Sequence, residues 1–399
     1  MDFKTTYSEE AERFREEVCG WLNANVPAGT EFPPETEELD DKTYAFANEL
    51  RGRLAAKGWL HPTWPKEIGG GGLSLEKRFV LEEEFLCRGV PRVYDLGRLL
   101  GGALLAAGTE QQKKKFLPQM AKGEIVVWQA FTEPQAGSDL AYLQLRAIQQ
   151  GDEFILNGQK TFIGDGHHVD YLFTLAVTDP KAPRHQNMSA FMVKADSPGI
   201  TMSPLKPMAL SRKNTIYFED VRVPSENLLG DLNRGWDVAN ASLQAERGSW
   251  GDWFRLSDFF EQLVRYCRET KRNGRSLIDN PCVQQLLTDL YLDVRALDLF
   301  NLRRKWKSAN GLPLTYEGSQ QSLYIKTLMP KFAAVLLEIA GPEALVTDSK
   351  WSLLKGRVEH FQRSSLMTHG AGTPEILKLV IARAIGLPGT RRQKSEPRT

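Results

Sequence analysis

Residues 131–139 read Phe131-Thr132-Glu133-Pro134-Gln135-Ala136-Gly137-Ser138-Asp139. Proline, glycine and small residues fold such a run into a tight turn. The turn collects backbone N–H groups and the hydroxyls of Thr132 and Ser138. Concave arrays of that kind suit anionic or carbonyl-rich ligands. Turn chemistry is common, so the run also reads as an ordinary loop in a β-rich region. The motifs that are missing narrow the options. No G-x-G-x-x-G opens a βαβ unit and there is no Walker loop, which disfavours a Rossmann or P-loop enzyme. There is no G-x-S-x-G nucleophile elbow. The six histidines include His167-His168 but no H-E-x-x-H spacing, so no metal site is expected.

Three textures must position this segment. To about Lys122 the chain reads as helical, with Ala11, Phe14, Val18, Trp21 and Leu22 on one face. Thr109-x-x-Gln112 predicts a capping box before the helix that carries Lys113, Lys114 and Lys115. Trp64-Pro65-Lys66-Glu67-Ile68 and the glycines Gly69 to Gly72 read as a loop between helices. From about Gly123 to Gly230 the period shortens. Phe154-Ile155-Leu156, Asn157-Gly158, then Lys160-Thr161-Phe162-Ile163 predicts a hairpin turning at Asn-Gly. Tyr171–Val177, Ser189–Val193, Ile200–Pro204 and Thr215–Val223 are further strand candidates. No long helix intervenes, which favours an antiparallel sheet or barrel. From about Trp236 helical period returns, with Val283, Leu286, Leu290, Val294 and Leu297 in one stripe. Asp258–Thr270 and Ser319–Ala340 predict further long helices, and the aromatic-rich helix Ser249–Phe260 reads as core, with a wall of the substrate pocket as its other reading. The expected fold is α+β and mostly helical: an N-terminal helical domain (1–122), a middle antiparallel β domain (123–232), a C-terminal helical bundle (233–388) and a charged, disordered tail (389–399).

With 51 basic and 50 acidic residues, no overall charge bias points to nucleic acid. Cys19, Cys87, Cys267 and Cys282 contain no C-x-x-C pair and read as small buried residues of a reducing compartment. Met1 to Glu10 is polar and acidic, without signal or transit character, so a cytoplasmic location is expected. No stretch approaches the roughly 18 apolar residues of a membrane span.

The 131–139 run resembles the T-E-P-x-A-G-S-D signature of acyl-CoA dehydrogenases, and it does not stand alone. Trp64-Pro65-Lys66-Glu67 with its glycines resembles that family's W/Y-P-x-E-x-G-G-x-G-L loop, and Asn157-Gly158-x-Lys160 its N-G-x-K hairpin. Phe218-Glu219-Asp220-Val221-Arg222-Val223-Pro224 and Asn227-Leu228-Leu229-Gly230 are similar to its F-x-D-V-x-V-P…N-x-L-G run. Gly372-Thr373-x-Glu375-Ile376 and Ile381-Ala382-Arg383 are similar to its ending. The blocks occur in family order over nearly the whole chain. The resemblance implies a helical domain, a β domain and a C-terminal four-helix bundle, with FAD between the last two.

By that resemblance, Phe131 and Thr132 contact the flavin ring, Thr132 at its N1/O2 edge. Gly137 and Ser138 belong to the cofactor-binding turn, Ser138 at the FAD pyrophosphate or beside the CoA pantetheine. Phe162, Ile163 and Gly164 stand where the family has W-I-T or W-T-S against the flavin face. Gly164 lacks the hydroxyl usual near flavin N5. Thr373 and Glu375 align with FAD contacts in the C-terminal turn.

The family reaction needs a carboxylate to take the pro-R α proton of a thioester while hydride leaves Cβ. In the commonest branch this base is the Glu of Y-E-G-T, but Gly370-Ala371-Gly372-Thr373 puts Ala371 there. Leu243-Gln244-Ala245-Glu246-Arg247 resembles the L-x-x-E-R of isovaleryl-CoA dehydrogenase, which also carries G-A-G-T, so Glu246 is the expected base. Arg247 matches an arginine near FAD or CoA and is the expected substrate contact. Glu246 and Arg247 also read as plain helix-surface charges. Tyr316-Glu317-Gly318-Ser319 mimics the base motif but precedes the wrong helix. There Ser319 reads as a helix N-cap and Glu317 as surface. Where many members have R-x-x-F-G, this chain has Thr270 and Asn273, with Lys271 or Arg272 as substitutes or as a charged helix end.

The implied function is FAD-dependent oxidation of an acyl-CoA to its trans-2-enoyl-CoA. The implied assembly is a homodimer or homotetramer that passes electrons to an electron-transferring flavoprotein. Two alternatives stay open. One is another reaction on the same site, as in an oxidase, a reductase or a decarboxylating member. The other is a non-catalytic FAD- or CoA-binding subunit of a heteromer, favoured by Ala371, Gly164 and Thr270.

Overall fold

A computed structural model describes residues 2–27, 30, 39–88, 90, 97–164, 168–208, 212–247, 256–346, 352–366, 370 and 372–388. The chain divides into two compact units, Glu10–Glu246 and Met1–Glu9 with Arg247–Thr399.

The first unit opens with helices α1 (Glu9–Asn25), α2 (Asp41–Ala56), α3 (Leu75–Cys87), α4 (Gly97–Ala107) and α5 (Glu110–Ala121). Ala11, Phe14, Val18 and Leu22 bury one face of α1. Trp21 is half-buried, edge-on to Trp59 and stacked on Phe85. The predicted capping box is present: Gln112 N donates to Thr109 and Thr109 N to the Gln112 side chain. The glycine loop is needed because a Cβ at Gly70 would lie 2.3 Å from the Trp64 carbonyl.

The β layer comprises β1 (Val127–Ala130), β2 (Arg146–Gln150), β3 (Glu153–Ile163), β4 (Tyr171–Val177), β5 (Met188–Lys194), β6 (Ile200–Leu205), β7 (Lys213–Pro224) and β8 (Leu228–Leu229). The order is β6-β7-β3-β2-β4-β5-β8, with β1 on β4. Pairing is antiparallel except for β1 with β4 and the single pair Arg146–Val177. Asn157-Gly158 does not turn the chain, contrary to the expected hairpin. β3 runs straight through it, and the real turn to β2 is at Gly151-Asp152. Asn157 instead pairs through its side chain with Asp220, on both the carboxylate and the backbone N–H, at a register shift. Gly158 is required because a Cβ there would meet Leu145 at 2.9 Å. The two residues therefore make a bulge that re-aims the strand before Lys160.

Helix α6 (Gly235–Arg247) closes this unit. A Cβ at Gly235 would lie 2.5 Å from the Ser189 carbonyl carbon, so glycine lets the helix start directly on β5. Val238 and Ala239 join the core beneath, and Ser242 Oγ donates to Gln129 Oε1 on β1 at 3.1 Å.

The second unit contains α7 (Leu256–Glu269), the short strands β9 (Lys271–Arg272) and β10 (Arg275–Ser276), then α8 (Pro281–Ala309), α9 (Glu317–Ala340), α10 (Val358–Ser365) and α11 (Pro374–Ala384). Its core joins Leu263 and Cys267 of α7, Val283, Leu290, Val294 and Leu297 of α8, and Phe332 and Leu336 of α9. Lys271-Arg272 is not a charged helix end. It pairs with Arg275-Ser276 across Asn273-Gly274, both at positive φ, and Arg272 donates to the Ala340 carbonyl at 2.7 Å. Two further expectations fail. Helix α9 starts at Glu317, so Ser319 is no N-cap but a buried residue of the first turn. Glu317 is 3% exposed, not surface. Of the cysteines only Cys267 is buried, with Cys19 half-buried and Cys87 and Cys282 exposed. Residues 249–255 of the Ser249–Phe260 stretch, His167 and the 389–399 tail lie outside the described residues. Among the described residues no helix is long and apolar enough to cross a membrane.

Candidate functional site

The 131–139 run is a turn fixed from below. Glu133 and Ala136 exchange backbone hydrogen bonds at 3.2 and 3.0 Å, which puts Pro134-Gln135 at the tip. The Glu133 carboxylate points inward. It accepts from Gln144 N at 2.7 Å, Leu145 N at 3.0 Å, Gln135 Nε2 at 2.6 Å and Lys160 Nζ at 2.7 Å. Lys160 is wholly buried on β3 and also donates to the Phe131 carbonyl at 3.1 Å. The next residue, Thr161, donates its N–H to the Thr132 carbonyl at 2.9 Å. Burial pushes the Lys160 ammonium down to about 8, against the pull of the Glu133 carboxylate.

The residues expected to bind a cofactor divide by exposure. The Phe131 ring is buried, edge-on to Phe173 with centroids 4.9 Å apart. Thr132 is half-buried, while Gly137 and Ser138 are exposed. Asp139 is ion-paired with Arg184. Phe162 sits at φ 59 in a second irregularity of β3, with its ring 52% exposed. A bulky residue at positive φ is an outlier that the surroundings must enforce, and such outliers cluster at functional sites. Ile163 is buried in the sheet, and its carbonyl accepts from Asn214 Nδ2 at 3.2 Å. Gly164 has φ 68, and a Cβ there would lie 2.3 Å from the Trp128 ring. The missing hydroxyl at 164 therefore has a local cause: Trp128 occupies its space.

The C-terminal turn is built in the second unit. Thr373 caps α11, accepting from Ile376 N at 3.3 Å, and Pro374 occupies the first helical position. Glu375 follows in the first turn, its carboxyl held below the usual range by its own backbone N–H and by the Thr373 hydroxyl. Lys326, buried on α9, donates to the carbonyls of Gly370 and Gly372 on either side of position 371. Ala371 itself lies outside the described residues.

Glu246 and Arg247 stand on the last turn of α6. Their side chains lie outside the described residues. By helical period, position 246 shares a face with Val238 and Ser242, which pack on the sheet. The rival carboxylate Glu317 is committed elsewhere. It accepts from Thr315 N at 2.9 Å, from Tyr316 N at 3.2 Å and from Lys307 Nζ. Burial opposes its ionisation, but these partners prevail and hold its pKa below the usual range.

Sequence reading assigned no role to Glu133, Lys160 or Lys326. A signal existed for Lys326, which follows Ser322 and precedes Met329 on the buried stripe of α9, whereas Lys160 stands between the polar Gln159 and Thr161. A charged residue on an apolar face marks a specific buried partner.

A helical domain, a β domain with a fixed N–H-rich turn and a helical bundle with a capped C-terminal turn define a class of flavin-binding fold. Residues 8–124, 129–221 and 233–386 match, in turn, the N-terminal, middle and C-terminal domains of acyl-CoA dehydrogenase. Acyl-CoA dehydrogenase FadE26 of Mycobacterium tuberculosis is 29% identical, over 98% of this chain and 100% of the relative. Acyl-CoA dehydrogenase IpdE1 of the same organism is 30% identical, over 95% and 98%. Among solved structures, a steroid ACAD named Tcur3481-Tcur3483 superposes with a TM-score of 0.83 at 28% identity, over 96% of this chain and 99% of that one. The ChsE4-ChsE5 complex of M. tuberculosis gives a TM-score of 0.83 at 27% identity, with the same coverage. The chain belongs to the acyl-CoA dehydrogenase family. It is an FAD-dependent oxidoreductase that dehydrogenates acyl-CoA.

The residues present fit FAD. An isoalloxazine needs a flat apolar neighbour and donors along its carbonyl edge. The exposed Phe162 ring and the half-buried Thr132 can supply these. A pyrophosphate needs N–H and hydroxyl donors in open space. Ser138 is exposed, and nothing lies within 4 Å of a Cβ built on Gly137.

Proposed function

We propose that this chain oxidises an acyl-CoA thioester to the trans-2-enoyl-CoA, with Glu246 as the base that removes the pro-R α proton. The observation that carries the assignment is the seating of α6. The helix packs on the sheet through Val238 and Ser242, and Glu246 follows at the same four-residue interval. The competing carboxylates support it by their own commitments, Glu317 to Lys307 and two backbone N–H groups, Glu375 to the first turn of α11.

Thr132, with the Phe131 backbone, holds the pyrimidine edge of the flavin, and Phe162, Ile163 and Gly164 form the wall against its ring. Gly137 and Ser138 serve the pyrophosphate, and Ser138 also borders the pantetheine. Thr373 and Glu375 hold the cofactor from the C-terminal turn, and Arg247 binds the CoA part of the substrate. Bound FAD supplies the acceptor for the hydride that leaves Cβ. Glu246 must sit out of bulk water, so that its carboxylate is basic enough for an α proton, and donors must hold the thioester oxygen as enolate charge grows. The electrons pass on to an electron-transferring flavoprotein. The enzyme works in the cytoplasm as a homodimer or homotetramer.

A second reading has one specific support. Both similar structures above carry paired names, and one is called a complex. On this reading the chain is one subunit of a heteromeric dehydrogenase and needs a partner chain to complete its site.

The test is anaerobic mixing of the purified flavoprotein with a panel of straight, branched, cyclic and steroid side-chain acyl-CoAs. Bleaching of the visible flavin band with formation of one equivalent of enoyl-CoA is the expected result. FAD retention without bleaching by any thioester, reversed when a partner chain is added, replaces the first reading with the second.

A further inference from the structure

We propose that the buried Lys160–Glu133 pair is a positioning device for the flavin: it fixes both peptide planes around Thr132 and so sets how tightly the cofactor binds and how easily it is reduced. The inference rests on the reading that Thr132 meets the flavin.

The geometry is complete on either side of Thr132. The peptide unit before it contains the Phe131 carbonyl, which Lys160 Nζ holds at 3.1 Å. A trans peptide is planar, so the N–H of Thr132 must point away from Lys160. The unit after it contains the Thr132 carbonyl, held by Thr161 N at 2.9 Å, and the Glu133 N–H, bonded to Ala136 at 3.2 Å. With both planes held, φ and ψ of Thr132 are determined, its Cα–Cβ bond leaves the backbone in one direction, and the hydroxyl is limited to the few staggered positions about that bond. The ammonium is also one peptide unit from the Thr132 N–H, and a charge-assisted bond on the carbonyl polarises that N–H as a donor.

Stability alone is a weak reason for such a pair. Burying two charges costs desolvation, and an apolar pair of similar volume often serves the fold equally well. Here the pair is fully enclosed, and Glu133 adds bonds to Gln144 N and Leu145 N that tie the turn to the chain entering β2. A rigid turn at the edge of the cofactor is what these bonds together produce. Lys160 and Glu133 are positioning residues, acting through Thr132.

The experiment compares wild type with Glu133→Gln and with the double variant Lys160→Met/Glu133→Gln, which leaves no charge buried. Three quantities are read: FAD dissociation constant of the apoprotein, position of the visible flavin bands, and midpoint potential by dye equilibration. The thermal midpoint of each apoprotein is recorded beside them. The double variant is expected to bind FAD about tenfold more weakly, the factor one charge-assisted hydrogen bond is worth. Its bands and potential are expected to shift while the apoprotein still unfolds cooperatively. Glu133→Gln keeps the side-chain shape but loses the charge and turns one accepting oxygen into an amide donor that faces two of the four donors Glu133 accepts from. It is expected to move the potential with a smaller change in affinity, and it decides the matter if the double variant does not fold. Wild-type affinity, spectrum and potential in either folded variant, with only the thermal midpoint lowered, would overturn the proposal. Equal loss of affinity on Thr132→Val and on the double variant supports it. No effect of Thr132→Val on any flavin property removes the underlying reading of Thr132 instead.

Discussion

Two turns in this molecule are each gripped by a buried lysine from a neighbouring regular element, and they are gripped in different ways. In the β domain, Lys160 holds one carbonyl of the 131–139 turn and one oxygen of a carboxylate within that turn. In the C-terminal unit, Lys326 of α9 holds the two carbonyls that flank position 371. The first turn carries its own counter-charge and is tied into the sheet. The second is held by backbone oxygens at the place where the commonest branch of the family has its catalytic Glu. A lysine at that place can fix the loop without a carboxylate, which is consistent with a base that has moved to α6. The same residue type thus stabilises a donor-rich turn in one unit and a base-free turn in the other.

Lys160→Met alone is expected to have the largest effect. It leaves Glu133 charged, buried and short of a partner. The expected cost is about 3–5 kcal/mol in urea unfolding of the apoprotein. A cost under about 1 kcal/mol would mean that the pair is not enclosed in solution. Lys326→Met removes the hydrogen bonds to the Gly370 and Gly372 carbonyls and is expected to cost about 2–3 kcal/mol. Equal costs for the two variants would erase the distinction.

Gly164→Ala sharpens the β-domain half. The φ of 68 disfavours alanine by about 1–2 kcal/mol, and the new methyl presses on the Trp128 ring. A changed tryptophan signal in near-UV circular dichroism should accompany the loss. The bundle half is sharpened by Glu317, whose carboxyl is held below its usual range in spite of burial. A depressed carboxyl gives stability that is present above its unfolded pKa and lost as pH falls through the folded value. Wild type should therefore lose stability on acidification below about pH 4.5, the ordinary value for Glu. Glu317→Gln should be less stable at neutral pH and show a shallower acid slope. An unchanged slope would contradict the Lys307–Glu317 pairing.

The sequence made the architecture legible because its signals were local and repeated. The α1 stripe, the Thr109 capping box and the alternation in β6 and β7 each arise within a few residues. It misread features whose cause is distant in the chain. Asn157-Gly158 has the composition of a hairpin turn, but its shape is decided by Asp220 and Leu145. Asn273-Gly274 makes the hairpin instead, and the charged residues beside it gave no warning. Glu317 read as surface because its partner Lys307 lies on the preceding helix. In the candidate site, the motif residues themselves were legible. The lysines that hold the motif's backbone were not assigned a role, since a lysine's partner carbonyls leave no mark in the sequence.

The assignment of α-proton removal to Glu246 on α6 is the step on which the chemistry turns. Its most direct test is anaerobic stopped-flow reduction of the FAD-loaded enzyme by its best acyl-CoA, comparing Glu246→Gln, Glu317→Gln and Glu375→Gln with wild type. Glu246→Gln should retain FAD and bind the thioester yet lose flavin bleaching by about a thousandfold or more, as expected when a general base is removed. The other two should bleach within about tenfold of wild type when folded and loaded. Near-normal bleaching by Glu246→Gln, with its collapse in Glu317→Gln or Glu375→Gln, would contradict the assignment.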